Sequence, residues 1–226
     1  MASVEHPSLA TIFGVEIWRQ TPVLVVEHLS GGTLATKLLA GRLEIREAIA
    51  IAVPLADALG VLHREGMLHR DIKPSNIGFA RNGTPKLLDF GLARLLERST
   101  AHPSPEAALS RLSSEQSSRT TVAGTPLYLS PELLSGAPPA ERDDLWAFAV
   151  VFVEALAGVN PFIASTVGNV LRRIRDVDVL DLRDWREDMP DAVQDFCRKA
   201  LHPEAGQRYR SAVEMAAALR TLSGTQ

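Results

Sequence analysis

Residues 146–159, WAFAVVFVEALAGV, carry one charged side chain, Glu154, in fourteen positions. A helix that is apolar on every side has to be enclosed by protein or lipid. This stretch is too short for lipid, because crossing a bilayer takes about 20 apolar residues. It therefore reads as a buried core helix, and the rest of the chain has to wrap it. With 226 residues, 46% of them hydrophobic, there is enough material for one sizeable core or two small ones.

What surrounds that helix changes character along the chain. LATIFGVEIW and PVLVVEHL (9–18 and 22–29) are rich in Ile, Val and Phe, and the turn-like RQTP separates them, so two strands are expected. SGGTL (30–34) ends that pattern. A short helix is expected over 33–39 and a longer one over 44–64. In the latter, Ile45, Ala48, Ile49, Ala52, Leu55, Leu59 and Leu62 recur at helical spacing. Pro54 lies inside it and should kink it or remove a hydrogen bond, at a cost of roughly 3 kcal/mol if uncompensated. Residues 66–91 read as short strands and turns, with Asn82-Gly83 as a hairpin signal. Residues 98–120 turn to Ser, Thr, Pro, Ala and Arg without periodicity, the composition of a long, mobile surface loop. Beyond SPELL the chain is helical, with breaks at PP, NPF, VDVLDLRDWRED and HPEAGQRY. The class is α+β.

Bulk properties narrow the function. A formal charge of −3 and a pI near 6.1 provide no basic field for nucleic acid. The lone cysteine, Cys197, allows no internal disulfide; it fits a reducing cytosol and reads as a small packed residue. The first residues, MASVEHPSLATIFG, have neither a basic n-region nor an unbroken apolar h-region. A cytoplasmic protein without a membrane segment is expected.

The chemistry is concentrated in HRDIKPSN (69–76) and LDFG (88–91), which place Asp71, Lys73, Asn76 and Asp89 close together in sequence. With VVEHL (25–29) before them and GTPLYLSPE (124–132), ERDDLWAFAVVFVEAL (141–156) and Arg208 after them, the order resembles the eukaryotic-type serine/threonine protein kinases. HRD or DFG alone would mean little, but ordered matches over nearly the whole chain are specific. The resemblance implies a protein-kinase-like fold. Residues 1–29 would be a remnant of the small lobe, comprising two strands and the hinge. Residues 30–222 would be the mainly helical large lobe with its activation loop at about 92–130, and 223–226 a tail.

The resemblance also implies roles. Phosphoryl transfer needs positioning and charge neutralisation more than covalent chemistry. Asp71 would accept or orient the proton of a substrate hydroxyl. Lys73 would neutralise the moving phosphoryl group, and its presence favours Ser/Thr over Tyr substrates. Asn76 and Asp89 would hold Mg2+, a hard cation that takes oxygen ligands. Backbone groups at Glu27 and Leu29, just after Val26, would bind the adenine of ATP. Gly78 stands where the family has a bulky apolar residue under that base, so the pocket floor is expected to be thinner. His69 and Phe90 would pack beneath the metal motif, joined by Ile12, and Gly91 would serve a close backbone approach. Glu132 and Arg208 would form a buried ion pair, and Asp144 would brace the HRD loop, with Asp143 as the alternative register. Arg70 would meet a phosphate on the activation loop, for which Thr120, Thr121, Ser117 and Ser118 are candidates. Thr125 would help recognise the substrate hydroxyl.

The chain departs from the pattern at its start. No glycine-rich loop or VAIK-like lysine precedes the hinge, and Lys37 follows it. Losing one preorganised charge-stabilising donor typically costs about 10²–10³ in rate. A truncated kinase of impaired activity is therefore expected. An isolated hairpin is marginal in water, so strands 9–28 would be sticky unless another chain completed the sheet. Two other readings stand beside this one. The first is a non-catalytic regulatory or docking module on a kinase large lobe. The second is a small-molecule phosphotransferase, against which GTPLYLSPE and the Ser/Thr-rich loop favour a protein substrate.

Overall fold

The computed structural model describes residues 4–19, 21–89, 126–177 and 181–224. Strands β1 (Ile12–Trp18) and β2 (Thr21–Val26) pair antiparallel as a two-stranded sheet. Helices α1 (Leu34–Leu38) and α2 (Ile45–Arg64) follow, then a second hairpin of β3 (Ile77–Phe79) and β4 (Pro85–Leu87). The remaining elements are helical: α3 (Pro131–Leu134), α4 (Glu141–Ala157), α5 (Val167–Arg175), α6 (Asp191–Ala200) and α7 (Ala212–Ser223). The α+β expectation holds. Among the described residues no helix is long and apolar enough to cross a membrane.

Helix α4 is the apolar run of the sequence, and from Asp143 to Val153 every residue is buried. Two anchors fix its ends. At the start, the Asp143 carboxylate accepts the Ala140 N–H (2.7 Å) and the Ser130 hydroxyl (2.5 Å). At the finish, Gly158 adopts φ +78°, the left-handed cap that glycine takes without penalty. A Cβ there would also lie 3.1 Å from both the backbone nitrogen and the Cβ of Arg42.

Helix α2 packs chiefly on α7 and also on α4. Its buried face matches the sequence periodicity, including Ala48, Ile49, Ala52, Leu55, Leu59 and Leu62. The helix runs on through Pro54, which has no N–H to give. Gly60 lets α7 close in, since a Cβ there would already touch the Val213 side chain at 3.4 Å. Trp146 is fully buried, stacked on Phe162 at 5.7 Å between ring centroids. The Arg208 guanidinium also lies over the Trp146 ring, 4.5 Å from its centroid. Cys197 is enclosed in the same core, and burial pushes its thiol pKa up.

The first hairpin is a different environment. Phe13, Val15, Ile17, Trp18 and Val23 are all exposed. Ile12, expected beneath the metal motif beside His69, is 39% exposed instead. It lies at the start of β1 opposite Val26, on a sheet of two strands among the described residues.

Two glycines separate conformational from steric demand. Gly136 has φ +83° with nothing near its missing Cβ, whereas Gly158 combines φ +78° with the Arg42 contact. Gly136→Ala should cost about 1–2 kcal/mol of unfolding free energy, the left-handed penalty alone. Gly158→Ala should cost clearly more, and urea unfolding of the two variants measures the difference.

Candidate active site

The HRDIKPSN loop leaves α2 and returns to β3, and its backbone is tied to α4. One Asp144 oxygen accepts the His69 N–H (2.9 Å) and the other accepts the Arg70 N–H (2.8 Å). His63 Nε2, from the end of α2, meets the first of these oxygens at 2.9 Å. His63, His69 and Asp144 are buried, whereas Arg70 is exposed. Arg70 has φ +71°, an unfavourable region for a side chain of this kind; the Asp144 bond holds its amide there. Asp144 thus bonds the loop backbone, and Asp143 caps its own helix.

Downstream of Arg70 the polar groups converge. Lys73 Nζ donates to Asp71 Oδ2 at 2.7 Å. Asn76 Nδ2 donates to the same oxygen (2.7 Å) and to the Asp71 carbonyl (2.8 Å). Pro74 opens a 3-10 turn, Pro74–Asn76, that carries Asn76 into place. Both side chains of the Asp71–Lys73 pair remain partly open to solvent, at 44% and 26% exposure.

Asn76 is also joined to the metal motif, because its carbonyl accepts the Leu88 N–H at 2.8 Å. Asp89 follows, exposed and with φ +58°. With its amide nitrogen committed to Asp71, Asn76 has its amide oxygen left to offer a cation. Asn76 and Asp89 are the oxygen-bearing side chains on the two segments that this bond joins. No cluster of three or more acidic or imidazole ligands occurs among the described residues.

His69 is a packing residue. Its Nδ1 accepts the Asp71 N–H at 3.3 Å, and its buried Nε2 has no partner among the described residues. Burial lowers its pKa from 6.5, against the opposing pull of Asp144 and Asp71. The Glu132–Arg208 pair is bidentate, at 2.9 and 3.1 Å. Burial pushes Glu132 up, but the guanidinium outweighs it and holds the carboxyl below its usual range. Beside them Tyr128 donates to Glu154 at 2.7 Å, and Asn160 Nδ2 donates to the same oxygen at 3.0 Å. Burial raises Glu154 despite both bonds.

At the hinge, Val26 ends β2 and Glu27 follows. The Glu27 N–H is given to the Thr11 carbonyl at 2.8 Å, so its own carbonyl is the backbone group it can present. Its carboxylate is clamped by Lys86 Nζ at 2.8 Å and the Thr11 N–H at 3.0 Å. These bonds lower its pKa, Lys86 contributing most. Lys86 and His63 were not singled out from sequence. His63 had a local cue, lying one turn above HRD at the end of a helix. Lys86 had none, since its partner is 59 residues away. Gly78 is not a gap, because Leu29 and Leu88 side chains converge on it. Phe90, Gly91, Ser117, Ser118, Thr120, Thr121 and Thr125 lie outside the described residues.

The protein kinase domain family matches residues 1–218. The chain belongs to that family. It is 35% identical to Serine/threonine-protein kinase SSK22 of Saccharomyces cerevisiae over 70% of its length and 12% of that protein's. With Serine/threonine-protein kinase PkaB of Streptomyces coelicolor it shares 30% identity over 98% of this chain and 51% of the relative. With PknB of Mycolicibacterium smegmatis the figures are 31%, 96% and 34%. Across these three the chain spans 12% to 51% of the relative's length. Its relatives are Ser/Thr protein kinases, a class of transferases.

Burial of neutral His69 has a pH signature. The unfolded chain takes up a proton below about pH 6.5 that the folded protein resists, so stability is full above that value and falls as pH falls through it. Melting temperatures should drop between about pH 7.5 and about pH 5.5. In His69→Phe the drop should be smaller, leaving the share of His6, whose pKa burial also lowers.

Proposed function

We propose that this protein transfers the γ-phosphate of ATP to serine and threonine hydroxyls of proteins. The observation that carries this reading is the convergence of Lys73 and Asn76 on one oxygen of Asp71, in a loop fixed from below by Asp144. That arrangement leaves the second Asp71 oxygen to orient an incoming hydroxyl and receive its proton. Lys73, already beside it, supplies positive charge where the phosphoryl group passes. Asn76 and Asp89 would hold Mg2+, which when bound offsets phosphate charge. The Glu27 carbonyl and the Leu29 backbone would bind the adenine. Arg70 would couple the loop to a phosphate on Thr120, Thr121, Ser117 or Ser118, with Thr125 beside the substrate.

The residues that grip the phosphates from above in this family, a glycine-rich loop and a lysine before the hinge, are not in this sequence. We therefore expect slow transfer by these 226 residues. A second reading, a non-catalytic docking module completed by another chain, draws on the exposed β1–β2 hairpin. The intact Asp71, Lys73, Asn76 and Asp89 set weighs against it.

Transfer of labelled γ-phosphate from Mg–ATP, to the chain itself and to a generic basic protein, decides between them. Label should appear with the native sequence. It should fall at least about 10²-fold in Asp89→Asn, which keeps the shape and removes the carboxylate. Equal labelling of both proteins would expose a contaminant, and none in either, with the protein folded, would favour the docking module.

A further inference from the structure

The floor of the base pocket is built unusually here. Gly78 is the middle residue of β3, Ile77–Phe79, and all three are buried. Its φ is not in the left-handed region, so nothing about the backbone demands glycine. Space does. A Cβ at 78 would lie 2.5 Å from Leu29 Cδ1, 3.5 Å from Leu29 Cβ and 3.2 Å from Leu88 Cδ1. The volume a side chain at 78 would take is already filled from the hinge.

The hinge is held there by backbone bonds. The Gly31 N–H donates to the Phe79 carbonyl (2.8 Å), and the Phe79 N–H donates to the Gly32 carbonyl (2.9 Å). Thr33 bridges Gly78. A Cβ on Gly31 would meet the Phe79 carbonyl at 2.7 Å, so this approach tolerates no side chain. Residues 29–33 are stitched onto β3, and Leu29 turns inward over Gly78. Leu88, the other side chain meeting there, directly precedes Asp89. The two leucine tips therefore form an apolar surface running from the segment that would bind the base toward the residue that would bind the metal.

We infer that Leu29, rather than residue 78, forms the apolar floor under a purine base, with Gly78 as the vacancy that admits it. This rests on the nucleotide reading above. The two positions act as a pair, with one isobutyl group for one site. A side chain at either position can provide the floor, but both together overfill it, and neither leaves a hole.

Four proteins test the pairing: the native chain, Leu29→Ala, Gly78→Leu and the double variant. Each is titrated with N-methylanthraniloyl-ATP and Mg2+ by fluorescence, with a thermal melt as a folding control. Leu29→Ala and Gly78→Leu should each weaken binding about tenfold, and the double variant should return to within about threefold of native. If Gly78→Leu does not fold, Gly78→Ala replaces it, because its Cβ alone produces the 2.5 Å collision that Leu29→Ala removes; that double variant lacks the isobutyl group, so it should bind like Leu29→Ala alone and no weaker. Equal effects of Leu29→Ala in both backgrounds, or tighter binding by Leu29→Ala alone, would overturn the pairing; tighter binding would make Leu29 a plug. No binding by the folded native chain would instead overturn the nucleotide reading, and this inference with it.

Discussion

One carboxylate organises the chemistry of this protein. Asp144 sits in the first turn of α4, 2% exposed, and serves the His63 ring and the amides of His69 and Arg70. A buried acceptor without donors is expensive, and so are loop amides without acceptors, so each side satisfies the other. The arrangement needs α2 and α4 at a fixed separation, because His63 comes from one and Asp144 from the other. The packing that buries α4 is thus what holds Arg70 at positive φ and presents Asp71 two residues beyond His69. The fold positions the site through a single side chain.

Much of this was legible along the sequence, for local reasons. The α4 run, the α2 stripe and the Asn82-Gly83 turn are patterns of neighbours, and each formed close to the expected place. HRDIKPSN is equally local, so Asp71, Lys73 and Asn76 meet within six residues. What escaped was tertiary. The Glu27–Lys86 clamp joins strands far apart in the chain. Asp143 and Asp144 are adjacent and identical in type, and only the direction each faces, one to its own helix cap and one to the loop, tells them apart. Ile12 is as apolar as its buried counterparts, but period-2 alternation cannot reveal that its sheet has two strands among the described residues. At Gly78 the sequence showed a missing side chain and could not show another residue entering the gap.

The ion pairs differ in weight for the same reason of environment. Arg208 is nearly enclosed, forked onto Glu132, bonded to the carbonyls of His202 and Pro203, and stacked on Trp146. Its geometry is over-determined, and replacing it would strand Glu132 and uncover the ring together. Lys37–Glu47 and Lys199–Glu214, each about two-fifths exposed, are surface pairs, worth a few tenths of a kcal/mol to about 1 kcal/mol and screened by salt. The buried polar anchors therefore sit on α4 and around it, Asp144 bonded to the loop that would do the chemistry and Arg208 over Trp146.

The sole sulfhydryl gives this core a built-in reporter. Cys197 lies on α6, 1% exposed, close to Phe196, whose ring packs on Phe152 of α4 and on Tyr209. Burial suppresses its thiolate, the form that alkylating and oxidising reagents attack. It can react only when the packing that encloses α6 separates. A thiol reagent added to the folded protein would therefore time that separation, through one covalent event per molecule and without any introduced label.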